Sequence, residues 1–240
     1  MTSTAPAPAS SAPVSPGNAP VPPGTDLRDL FRAAYENRYT WDPGFGGYQG
    51  RCVWEQGERR VQGQFTVGAD LKARVEGVED EAVNKAIGSQ LWEVCIHRVR
   101  RSFEQTHGEN SFTAGDTDAV GVEVIVGGKN SGDRYRINNN VVTMVHRHIH
   151  GTVVTIFTKA TTDTGAGYLS RCYTSSYSDP ASGAIKGGTS TFTDTFVPLG
   201  GQGPWVLSER VIETEAGPGP GGETQAASQQ TFRFEDLAAL

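Results

Sequence analysis

The stretch VVTMVHRHIHGTVVTIFTKATTDTGAGYLSRCYTSSY, residues 141–177, decides the fold. Val, Thr, Ile, Phe and Tyr dominate it, apolar and polar side chains alternate over short spans, and glycine-bearing clusters interrupt it. It therefore reads as strands at 141–149, 152–160 and 167–177. His150-Gly151 has the composition of a two-residue hairpin turn. The same texture places strands at 119–126 and 133–137 before this stretch and at 189–197, 205–214 and 225–234 after it. Turn clusters separate them at Asn138-Asn139-Asn140, Asp179-Pro180 and Gly217-Pro218-Gly219-Pro220.

Nearer the N-terminus the period changes. Leu27, Leu30, Phe31, Ala34 and Tyr35 form one apolar stripe, which predicts a helix over 26–38 with Thr25 as N-cap and Asp26 and Asp29 in the first turn. Pro43-Gly44 ends it. Residues 48–75 predict three antiparallel strands joined at Gly57-Glu58 and Gly68-Ala69-Asp70, with Val53, Val61, Phe65, Val67, Leu71, Ala73 and Val75 on the buried face. Helical spacing returns at Val83, Ala86, Ile87, Leu91, Val94, Cys95, Val99 and Phe103, predicting a helix over 79–105 in which Gly88 is the place for a kink or a split. Strands in series with two early helices specify an α+β fold, strand-rich in its C-terminal two-thirds. So many antiparallel strands must curl or close, which predicts a curved, half-barrel-like sheet wrapping the two helices.

The chain has 240 residues, 36% hydrophobic and 20% charged, with a net charge of -6. Residues 1–24 carry seven of the 13 prolines and no charged side chain, a composition that cannot form a core, so they are expected to be a solvated tail before one domain at 25–240. No run approaches the roughly 18 apolar residues that span a bilayer. The acidic balance argues against nucleic acid as a partner. No basic residue precedes Arg28, as a secretory or transit signal would require, so a cytoplasmic location is expected. Cys52, Cys95 and Cys172, without CxxC spacing, read as reduced core thiols. The oligomeric state is left open.

LFRAAYENRYTWDPGFGGYQG (30–50), GYLSRCYTSSYSDPASG (167–183), TFTDTF (191–196) and WVLSERVI (205–212) resemble an uncharacterised domain-of-unknown-function family found mainly in cyanobacteria and plants, over residues 25–240. That resemblance implies no activity and no catalytic residues. In fold order the chain also resembles the LolA-type half-barrel carriers, which implies a curved sheet cupping helices and an apolar ligand; fold alone does not transfer that function.

Among residues that could carry chemistry, His146, His148 and His150 alternate on one predicted strand and so share a face, a spacing used by transition-metal sites. Same-face neighbours on a strand are ~7 Å apart, so a pair with a remote ligand is easier than all three on one ion. The competing account is a solvated polar strand face. Gly128-Lys129 fails as a phosphate loop because Glu123 and Asn130 stand where glycine and Ser/Thr are needed, and GFGGYQG (44–50) lacks dinucleotide spacing. Neither GxSxG nor HExxH occurs. The basic run His97 to Arg101 reads as a solvated helix face, and Asp42, Asp179 and Asp194 as turn or capping residues.

Trp54, Phe65, Leu71, Tyr168, Tyr173 and Trp205 are the candidate lining of an apolar cavity. The leading function is therefore non-catalytic: binding a hydrophobic small molecule or lipid in the concavity between sheet and helices. The alternatives are a metal-dependent enzyme or metal-binding protein built on His146, His148 and His150, with a transition metal as cofactor, and an assembly protein using the sheet edge and Pro-rich tail.

Overall fold

The computed structural model describes residues 26–219 and 221–240. The expected tail at 1–24, Thr25 and Pro220 lie outside them. In chain order the elements are α1 (Leu27–Glu36), β1 (Tyr48–Gln56), β2 (Arg59–Val67), β3 (Ala73–Glu76), α2 (Glu81–Arg98), α3 (Phe103–His107), β4 (Asn110–Asp118), β5 (Gly121–Gly128), β6 (Arg134–Asn138), β7 (Val141–Ile149), β8 (Thr152–Asp163), β9 (Tyr168–Ser178), β10 (Ile185–Pro198), β11 (Trp205–Thr214), β12 (Gly217–Pro218), β13 (Thr224–Gln225) and β14 (Ser228–Ala239).

Twelve of the strands form one antiparallel sheet in the order β3-β2-β1-β14-β11-β10-β9-β8-β7-β6-β5-β4. The C-terminal strand β14 joins the two ends of the chain by pairing with β1 on one side and β11 on the other. Consecutive strands β3 and β4 are thus the two opposite edges. At ~4.8 Å per strand a flat sheet of this order would separate them by roughly 50 Å. The chain makes that crossing through α2 and α3 over one face, and the sheet curves around them as the half-barrel expected from the strand count.

Tight turns fix the register. His150 (φ 48°) and Gly151 (φ 74°) are both left-handed, as a two-residue hairpin between β7 and β8 requires, and Asn139 and Asn140 do the same between β6 and β7. Leu71, expected on a strand face, is instead in the β2–β3 turn at φ 57°, half-buried against the core.

Three further expectations are corrected. Asp26, not Thr25, caps α1: its carboxylate accepts the Arg28 N–H. The helix expected over 79–105 is two helices, and it breaks at Val99 rather than at Gly88. Val99 is extended, the Arg98 carbonyl accepts the Trp41 N–H, and Ser102 and Gln105 form a reciprocal capping box that starts α3. A strand unforeseen in the sequence, β4, precedes the first expected one and forms an edge of the sheet.

The helix-bearing face holds two cores. Phe31 and Ala34 of α1 and Phe103 of α3 pack on Val124, Val126, Tyr135, Ile137 and Val142. Val83, Ile87, Leu91, Val94 and Cys95 of α2, spaced for one helix face, pack on β1, β2, β11 and β14 through residues such as Cys52, Phe65, Leu207 and Phe234. Burial pushes the Cys95 thiol up to about 12, and Cys52 is raised for the same first reason, so both are unreactive core thiols.

Candidate functional site: a hollow between the helices

Between the two cores, strands β8 to β10 are floored by residues that neither helix covers completely. Residues directly opposite in antiparallel pairs share a face. One row runs Thr158, Tyr173, Phe192, Ile212, the next Val145, Ile156, Ser175, Ser190, Thr214, and the next Arg147, Val154, Tyr177, Lys186. Two contacts place these rows on the helix-bearing face: the Tyr173 hydroxyl donates to Glu93 Oε1 of α2 at 3.1 Å, and Val145 packs into the α1 core. Val154, Ile156, Phe192 and Ile212 are only half-buried, Tyr177 is 46% exposed, and Ile149 beyond them is 41% exposed. On the concave face these rows leave a partly uncovered hollow, bounded by the α2 contact at Tyr173 and increasingly exposed toward Tyr177.

Polar groups gather at its α2 end. Arg210 of β11 gives Asp194 of β10 a two-pronged pair, Nε to Oδ1 at 2.7 Å and Nη2 to Oδ2 at 2.6 Å, and its Nη1 reaches Gln90 and Glu93 of α2. Both side chains of the pair are almost wholly buried. Burial opposes the Arg210 charge, but the hydrogen bonds and charge of Asp194 prevail and hold the guanidinium above its ordinary pKa. Tyr173 and Phe192 stack 4.7 Å apart beneath this guanidinium. Asp194 is therefore the anion of a buried pair and not the turn or capping residue expected; Asp179 does cap its loop, accepting Ala181 and Ser182 N–H groups. The sequence signal for the pair was phase: Asp194 alternates with Phe192, and Arg210 with Ile212, on what is otherwise the apolar face of each strand.

Further along α2, His97 is exposed at the surface yet crowded by its neighbours. Desolvation by the surrounding protein, with Arg98, Arg38 and Arg210 adding to it against the charge of Glu93, brings its pKa down to about 4, so it is neutral at pH 7. Only His97 and Arg98 of the basic run are helical; Arg100 and Arg101 follow the helix end. Arg98 points inward, its guanidinium 5.2 Å over the Phe196 ring, with a buried Nε that has no hydrogen-bond partner.

The six candidate lining residues divide. Trp54 and Phe65 are buried in the α2 core, Leu71 and Trp205 pack against it, and Tyr168 is buried with its hydroxyl accepting the Val142 N–H. Only Tyr173 borders the hollow. Its true floor was missed because Val154, Ile156 and Ile212 look like any strand residues until register aligns them.

The histidines do not converge. His146 and His148 lie on the opposite face from Arg147, rings 5.8 Å apart, while His150 is in the turn. Arg134 Nη2 lies 3.3 Å from His146 Nε2, whose Nδ1 faces the Thr155 hydroxyl at 2.9 Å. With Arg134 donating, Nε2 is the acceptor and Nδ1 carries the proton, so neither nitrogen is free and a cation would meet a guanidinium. Among the described residues no group of three or more His, Cys, Asp or Glu side chains is placed to hold a metal ion. No helix among them is long and apolar enough to cross a membrane.

A separate open groove of about 390 Å³ lies between β3 and α2, lined by Lys72, Val75, Lys85, Ser89 and Trp92 among others.

A family model described as "Protein of unknown function (DUF3386)" matches residues 23–240. No curated protein matches the chain. A solved structure, a putative outer membrane lipoprotein-sorting protein domain from Vibrio parahaemolyticus, is similar at 7% identity with a TM-score of 0.33, covering 88% of this chain and 91% of that one.

Proposed function

We propose, from the premise that the chain belongs to the DUF3386 family of proteins of unknown function, that it binds and carries an apolar small molecule or lipid chain in the hollow between α1 and α2. One observation carries this reading: half-buried apolar side chains, Val154, Ile156, Phe192 and Ile212, recur on one face of β8 to β11 between two well-packed cores, in rows that open at Tyr177. A twelve-stranded sheet that curves around three short helices has more concave surface than they can cover. The uncovered part sets Val154, Ile156, Phe192 and Ile212 among small Ser and Thr side chains, an apolar surface with a few polar groups that is typical of ligand sites.

The test uses the neutral fluorophore N-phenyl-1-naphthylamine. The full chain is expected to enhance and blue-shift its emission saturably, and Ile156→Asp is expected to weaken binding about tenfold or more while circular dichroism stays native. Ile156 is only half-buried, so the new carboxylate remains solvated and the fold survives. Absence of saturable enhancement, or binding unchanged in Ile156→Asp, refutes the reading.

A further inference from the structure

The hollow's α2 end carries more positive than negative charge. Around His97 stand the guanidinium groups of Arg38, Arg98 and Arg210, against two carboxylates, Glu93 and Asp194. Arg210 is accounted for by those two carboxylates. Arg38 is not paired: its Nε donates to the Tyr35 carbonyl and its guanidinium lies 3.8 Å from the Tyr35 ring centroid. Arg98 has the Phe196 ring beneath it and an unpartnered buried Nε, and it feels the Asp194 carboxylate without forming an ion pair with it. Neither forms an ion pair among the described residues, and residues 1–24 contain no acidic side chain that could supply one.

One segment brings these two arginines to the same end of the hollow. Residues 37 and 39 bond to Tyr168 at the start of β9, and Trp41 N–H bonds to the Arg98 carbonyl at the end of α2. The charges of both Arg38 and Arg98 are felt at the buried Tyr168 phenol. A cation half-withdrawn from water without an anion hydrogen-bonded to it is costly, and a guanidinium fork matches carboxylate and phosphate oxygens.

We propose that the hollow takes a singly charged anionic amphiphile, its carboxylate or phosphodiester at Arg98 and Arg38 and its chain along Phe192, Ile156 and Val154 toward Tyr177. This rests on the carrier reading above and adds the class of cargo. The excess of one positive charge fits one negative head group, and the apolar floor begins immediately beyond the charged end.

The test displaces N-phenyl-1-naphthylamine from the full chain with oleate, lysophosphatidylglycerol, oleyl alcohol or inorganic phosphate, each lipid below its micellar concentration. At least one of the two anionic amphiphiles is expected to displace the probe at roughly 10- to 100-fold lower concentration than oleyl alcohol, the range of a charge-assisted hydrogen bond. The better of the two identifies the head group. Arg98→Met is expected to erase the preference and Arg98→Lys to keep part of it. Arg38→Met, which leaves the α2 end and the Phe196 contact untouched, gives the same readout if Arg98→Met does not fold. Oleyl alcohol matching the anions, or the preference persisting in both Met variants, overturns the proposal and leaves the carrier reading standing. Inorganic phosphate competing as well as the lipids also overturns it. Failure of the probe to bind at all is the separate failure of the carrier reading.

Discussion

Replacing Asp194 by Asn should be among the most damaging single changes in this protein. Asp194 accepts two charge-assisted hydrogen bonds from Arg210 at 2.7 and 2.6 Å, and the paired side chains are 1% and 3% exposed. Breaking one side of a buried pair costs about 3–5 kcal/mol because it strands the other charge. Gln90 and the partly exposed Glu93 still hold Arg210 Nη1, so the expected loss is at the lower end, about 3 kcal/mol. Arg210→Met strands the carboxylate instead and should cost a similar amount. The double variant Asp194→Leu with Arg210→Met strands nothing, since Glu93 turns to water, and should recover to within about 1–2 kcal/mol of the native protein. Urea unfolding at pH 7, followed by the fluorescence of the buried Trp41 and Trp54, measures all four proteins. A loss below about 1 kcal/mol for Asp194→Asn, or a double variant no more stable than either single variant, would refute the assignment of this pair as a coupled buried unit.

Two further outcomes are expected. His107 is buried among Phe31, Phe103 and Tyr135, its Nδ1 faces the Asn110 amide, and desolvation followed by Arg147 and Arg38 brings its pKa down to about 4 from 6.5. A depressed pKa means the unfolded chain takes up the proton first, so stability is full above pH 6.5 and falls as pH drops toward 4, by roughly 3 kcal/mol from this residue. His107→Gln should flatten that part of the profile in urea titrations between pH 7.5 and 4.5, and an unchanged slope would count against it. His150 pays no visible role at φ 48°, so His150→Asn, better suited to a left-handed turn, should raise stability by about 0.5 kcal/mol in thermal melts; a drop would show that the imidazole makes a contact of its own.

Local chemistry made much of this fold readable. The α1 stripe, the Gly57 and His150-Gly151 turns and the β7–β10 strands rest on residues whose preferences act within a few positions. What escaped depends on distant partners or on competing local signals. Residues 110–118, NSFTAGDTD, lack the apolar alternation of a half-buried strand because β4 is an edge with only β5 beside it. The α2 stripe continues through Val99 to Phe103 without a break in spacing, and only the Ser102–Gln105 box marks the new start. At the site, Tyr173 was legible as an aromatic, but Arg98, Arg38 and Arg210 come from α2, the segment after α1, and β11. Nothing short of the sheet order brings them together.

The open sheet leaves two strands with unsatisfied hydrogen-bonding rows, and both are poor templates for another chain. β3 is four residues long with Arg74 and Glu76 facing solvent. β4 carries a register irregularity between Ala114 and Thr117, and Asp116 and Asp118 near its end. A second copy pairing there would have to bring acids against acids across a distorted ladder. Concentrated solutions should accordingly resist fibrillar growth through their sheet edges, and removing the two acids together would expose the protein to it.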